Sequence, residues 1–173
     1  MNAIATLRVL WAALMSSVGL FGVVILVLPP AQVSPDTTML IVFAVTAAST
    51  AAMSFVLPRQ IHARAANAAT LGIHEVPDPD APAGFGDARR VRVFTDPARA
   101  RQRAAMLYQQ YTILSCALSE SVALFGFVLN RLGHPPTTSL AFILAGMLLV
   151  ALRFPSEQKA VELFQSATKA RLG

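Results

Sequence analysis

The chain has 173 residues, of which 55% are hydrophobic and only 13% charged. An ordinary soluble domain carries about a quarter of its residues charged, so this chain lacks the polar side chains to cover a water-facing surface. Its single cysteine excludes an intramolecular disulfide framework and any cysteine-built zinc or iron–sulfur site within one chain.

The first apolar run, residues 7–28, holds one charge, Arg8, and ends at Pro29 and Pro30, which cannot continue a helix ladder. It exceeds the short apolar core of a cleaved leader and is expected to remain in the mature chain. The second run, 39–57, has no charge and closes at Pro58 and Arg59. Within it Ala44, Ala48 and Ala52 recur at four-residue spacing, a small-residue row expected to face another helix. Residues 59–71 are alanine-rich and extend this helix, with Gly72 as its stop. Residues 72–96 are broken by Pro77, Pro79, Pro82, Gly84 and Gly86, which is loop chemistry, although 72–76 and 91–94 are able to pair as short strands. Asp96 and Pro97 then form a helix start, cap followed by first-position proline.

That helix runs into the third apolar run, 111–130, whose one charge is Glu120. The fourth, 138–152, is shorter and is closed by Arg153. Crossing about 30 Å of hydrocarbon takes about 20 residues. The fourth run meets this only if Arg153 snorkels and Phe154 counts as part of the span. The tail, 156–172, reads as a short helix capped by Ser156; it either lies on the membrane surface or is solvated. A soluble bundle is the alternative for the whole chain, but buried soluble helices rarely run this long without a charge on any face.

The arginines orient the chain. Segments 29–38 and 131–137 contain Arg131 alone, whereas 59–110 contains Arg59, Arg64, Arg89, Arg90, Arg92, Arg99, Arg101 and Arg103. The tail adds Arg153, Lys159, Lys169 and Arg171. Basic residues near span ends stay in the cytoplasm, so both termini and the long connection are expected there. Arg99, Arg101 and Arg103 are explained by this rule, with anionic lipid headgroups rather than nucleic acid as their partner. His62, His74 and His134 lack metal-ligand spacing and read as surface histidines. No phosphate loop, nucleophile elbow or nucleophile–base set occurs, so the expectation is no metal, no cofactor and no catalytic residue.

Residues 13–22 (ALMSSVGLFG) and 117–126 (ALSESVALFG) align without gaps at seven identities in ten, each followed by a proline-bearing turn and another apolar run. This layout favours a duplicated two-helix hairpin whose copies run in the same direction. At about 100° per residue, Ser16 and Gly19 share one stripe and Glu120 and Ala123 another; Gly22 and Gly126 join the small-residue seams. A carboxylate at a helix centre costs about 2.5–3.5 kcal/mol by insertion scales. Glu120 is therefore expected to be neutral or hydrogen-bonded to Ser16, Ser17, Thr46, Ser49 or Thr50. Two roles stand open for it: an ion or proton site, or a polar clasp between helices.

The stretch from Ala117 to Gly126 resembles the outer-helix signature of the proteolipid c subunit of rotary ATP synthases, in which a carboxylate is followed by small and apolar residues and an aromatic–glycine step. The resemblance implies that Glu120 is the ion-binding carboxylate and that Ser16 marks a copy that lost its own. It covers ten to fifteen residues. The glycine-rich inner helix is missing, and about fifty residues replace the family's short polar loop, with only Arg59 and Gln60 reminiscent of it. The chain also resembles small bacterial four-helix membrane proteins of unassigned function. The expected protein is an all-α integral protein of a bacterial-type inner membrane. It consists of a first transmembrane hairpin (1–58), a cytoplasmic connection (59–110), a second hairpin (111–155) and a cytoplasmic tail helix (156–173). It is expected to act as a structural or accessory part of a homo-oligomer or larger membrane complex.

Overall fold

Uninterrupted apolar runs produce the helices α1 (Ala3–Val27), α2 (Thr37–Asn67) and α3 (Pro97–Arg131), each long and apolar enough to cross a membrane. They are followed by α4 (Pro136–Ala151) and α5 (Glu157–Thr168), and a two-stranded hairpin, β1 (Ile73–Pro77) and β2 (Arg90–Phe94), lies between α2 and α3. This computed structural model describes residues 3–28, 34–68, 72–77 and 90–171; residues 78–89 of the loop expected over 72–96 lie outside them. Side-chain caps open three of the helices. Asp36 accepts from the Thr38 amide, Asp96 from the Arg99 amide with Pro97 in the first turn, and Ser156 from the Lys159 amide.

α3 is the hub, packing against α1, α2, α4 and α5. At 1.5 Å per residue its 35 residues reach about 52 Å, well beyond a hydrocarbon core of about 30 Å. α1 runs parallel to it: Leu7 packs with Tyr108, Ser17 meets Glu120, and the Phe21 and Phe127 rings lie 5.7 Å apart. α2 is antiparallel, with Phe43 against Phe125 at one end and His62 against Tyr111 at the other. α2 also continues through Pro58, which has no N–H to offer the Ser54 carbonyl.

Within a single chain the packing departs from the expected pattern at three places. α3 and α4 form a tightly packed hairpin, but α1 and α2 share no extensive seam among the described residues, so the two halves do not repeat each other's packing. Ala44, Ala48 and Ala52 lie on the exposed side of α2; the side turned inward carries Ala47, Ser54 and Pro58, with Ala51 half-buried beside them. α4 has 16 residues, about 24 Å, and Arg153 does not snorkel: it is 8% exposed.

A second core, made largely of small residues, sits beyond the apolar runs. β1 and β2 pair antiparallel, Ile73 opposite Phe94 through Pro77 opposite Arg90. Phe94 stacks on Phe164 of α5 at 5.5 Å, and both join Ala66, Ala100, Ala104 and Leu107 in one buried cluster. The tail helix thus packs one face against the rest of the chain and leaves Glu157, Gln158, Lys159, Glu162 and Ser166 exposed on the other. Phe164 and Ala167 join the buried cluster, and Ala160 packs beside Leu7 and Tyr108.

Candidate functional site

Glu120 lies in the seam between α1 and α3, where the Ser17 hydroxyl donates to its Oε1 at 2.7 Å. Ser16, the aligned position in the first copy of the repeat, turns outward and donates to the Ala12 carbonyl instead. One helical position decides this. α1 buries Ile4, Leu7, Val18 and Ile25, with Trp11, Leu14 and Phe21 half-buried between them, a seven-residue rhythm that rotates Ser17 rather than Ser16 toward α3. Glu120 is half-buried, and Ser121, the next residue, bonds back to the Ala117 carbonyl.

Small residues hold α3 and α4 together at this level and beyond it toward the C-terminal end of α3. A Cβ added to Gly126 would collide with the Ser139 carbonyl oxygen and sit 2.8 Å from Phe142 Cβ. One added to Gly146 would sit 2.8 Å from the Cβ and the backbone nitrogen of Ala123. Gly126 and Ala123 therefore act as packing residues. Among the described residues a Cβ at Gly19 meets nothing within 4 Å, and one at Gly22 is only in ordinary contact with Ile143, at 3.7 Å. Gly146 is the packing residue that pattern reading missed.

Toward the second core, another polar group surrounds Arg153. Its Nη1 donates to the Tyr111 hydroxyl and its Nη2 to Ser54 Oγ, both at 3.2 Å. The guanidinium carbon lies 4.0 Å from the Phe55 ring centroid, over its face. Nε is buried and finds no partner among the described residues. The Ser156 amide donates to the Tyr108 hydroxyl at 3.4 Å, and Trp11 Nε1 donates to the Val150 carbonyl at 2.8 Å. The one tryptophan and both tyrosines of the chain thus gather at the level where the apolar runs of α2 and α4 give way to Arg59 and Arg153. That signal was present in the sequence, as Trp and Tyr favour the membrane–water boundary.

The histidines divide. His74 is exposed, within 3.3 Å of Thr95 Oγ1, whereas His62 and His134 are buried rather than on the surface. Both ring nitrogens of His62 lack a partner among the described residues, as does Nε2 of His134 near the α3–α4 turn. Cys116 is buried and free. Comparison with protein-family models, curated proteins and solved structures finds no match.

Proposed function

We propose that the chain is a multi-pass protein of a bacterial-type inner membrane with a structural or accessory role in a membrane assembly, and not an enzyme. Three apolar helices support this reading, as does α4, which lies along the same stretch of α3, from Gly126 to Ser119, that an apolar slab would cover. The N-terminal end of α1, the β-hairpin and α5 gather at one end of the bundle, which fits cytoplasmic termini and a cytoplasmic connection. The Ala44, Ala48 and Ala52 row, exposed among the described residues, is available to a neighbouring helix of a second copy or of a larger complex.

The observation that carries the role is the Ser17–Glu120 hydrogen bond across the α1–α3 seam. A carboxyl group held this way ties two parallel helices at one depth and fixes their register, which is a clasp. Glu120→Gln keeps an acceptor for Ser17 and should leave the detergent melting point and the assembly state as in the parent. Glu120→Leu strands the Ser17 hydroxyl and should cost about 1–3 kcal/mol. A proton- or ion-translocating role, as the proteolipid resemblance implies, gives the opposite pattern. Neither variant would then matter for stability, and a carbodiimide would modify Glu120 stoichiometrically; that result would overturn the clasp.

A further inference from the structure

Arg153 presents a chemical problem that the clasp at Glu120 does not address. It is more than nine-tenths buried, its bonding partners are two neutral hydroxyls and a ring face, and its Nε is unsatisfied among the described residues. A desolvated cation needs an anion or a full set of acceptors. The two hydroxyls supply only part of such a set.

Arg153 also lines a cleft of about 430 Å³ between α2, α3 and α5. Among the described residues, Arg59 and Lys159, both exposed, line it too, with Lys159 Nζ donating to the Phe154 carbonyl at 3.2 Å, against one carboxylate, Glu162, which already accepts from Gln158 Nε2 at 2.9 Å. Three cations therefore face one acid around a space large enough for a phosphate group and its ester. The wall on the side of the apolar runs is different. Phe55 and Leu152 border the cleft there and are 37% and 57% exposed, and Leu148, one turn further along α4, is 63% exposed. A ligand that fills this site is anionic at one end and apolar at the other.

We propose that this cleft binds the phosphodiester headgroup of an anionic phospholipid, with Arg153 and Tyr111 beneath the phosphate, Arg59 and Lys159 at its rim, and the acyl chains running along Phe55, Leu152 and Leu148. The Arg guanidinium suits this task because its planar fork of donors matches phosphate oxygens. The proposal rests on the membrane reading above and makes it specific to one lipid class.

The test uses the full chain purified in mild detergent, stripped of lipid and titrated with dioleoyl-phosphatidylglycerol or dioleoyl-phosphatidylcholine, with bound lipid counted by native mass spectrometry. One phosphatidylglycerol per chain should be retained in preference to phosphatidylcholine. The double variant Arg59→Gln/Lys159→Gln, altered only at exposed positions, should bind about 25-fold more weakly, from about fivefold for each surface cation. Arg153→Gln should lose more than tenfold; if it fails to fold, the double variant alone decides between the outcomes. Equal retention of the two lipids, or parent-like binding by the double variant, would overturn the cleft as a lipid site. Inorganic phosphate that binds alone and displaces phosphatidylglycerol would show that the ligand is a free phosphate group and end the lipid assignment. A chain that stays monodisperse in water without detergent would fail the membrane reading before any lipid is added, so the two failures are distinct.

Discussion

Replacing Gly146 by alanine places a methyl carbon 2.8 Å from both the Cβ and the backbone nitrogen of Ala123, and 3.1 Å from the Ser119 carbonyl oxygen. Carbon atoms pack best at about 3.5–4.0 Å, so α3 and α4 must separate by several tenths of an ångström along their tightest contact. Overpacking of this kind costs about 1–3 kcal/mol. Alanine also gains about 0.8–1.0 kcal/mol over glycine in a helix interior, which would mask part of the loss. Gly19→Ala supplies the control, because it gains the same propensity while its new methyl meets nothing among the described residues within 4 Å. The difference between the two variants isolates the clash. A chain of this size shifts by about 2–4 °C per kcal/mol, so Gly146→Ala should melt about 2–12 °C below Gly19→Ala in detergent, followed by circular dichroism. If Gly146→Ala melts at or above Gly19→Ala, the α3–α4 contact does not depend on a missing side chain.

Two further predictions separate the faces of the molecule. Ala47→Leu, on the inward side of α2, should lower the melting point by overpacking of about 1–3 kcal/mol, whereas Ala48→Leu, on the outer side, should leave the melting point of the chain unchanged and alter only its assembly state by size-exclusion light scattering. A larger thermal effect at Ala48 would reverse the assigned rotation of α2. Phe164→Ala removes a fully buried ring from the second core and should cost about 3–5 kcal/mol, read as faster trypsin cleavage at Lys159 and Lys169 with the apolar helices still resistant. Parent-like cleavage would show that α5 is not held by this ring.

What was legible in the sequence follows from where polarity breaks the symmetry of a segment. The β1–β2 pairing, the Asp96–Pro97 helix start and the joining of the third apolar run to the helix before it all sit where caps, prolines and alternating residues mark position. The rotation of α2 was not legible. Residues 39–57 are apolar or small on every side, so alanines at 44, 48 and 52 look as suitable for a seam as those at 47 and 51. Only the partner helix decides, and its side chains lie elsewhere in the chain. The same holds for Ser16 and Ser17, which differ by about 100° around α1 and were both within the expected reach of Glu120. Arg153 misled for another reason. At the end of an apolar run an arginine ordinarily reaches outward to water, but here Ser54, Phe55 and Tyr111 come from two other helices to receive it, a convergence with no local trace.

The unbroken course of α3 has a mechanical consequence. A single helix of about 52 Å carries the β-hairpin and α5 at one end and the Glu120 and Gly126 contacts at the other, with neither a proline nor a loop between them. It is a lever with no joint. A tilt of about 10° imposed at its basal end displaces the far end by on the order of 9 Å, from helix length alone. α2 runs beside it but contains Pro58, where the ladder lacks a bond and bending is easiest. Load applied to the second core would therefore pass along α3 undivided while α2 flexes next to Ser54 and Arg153, so the level at which the arginine is held is also the level at which the two long helices can part company.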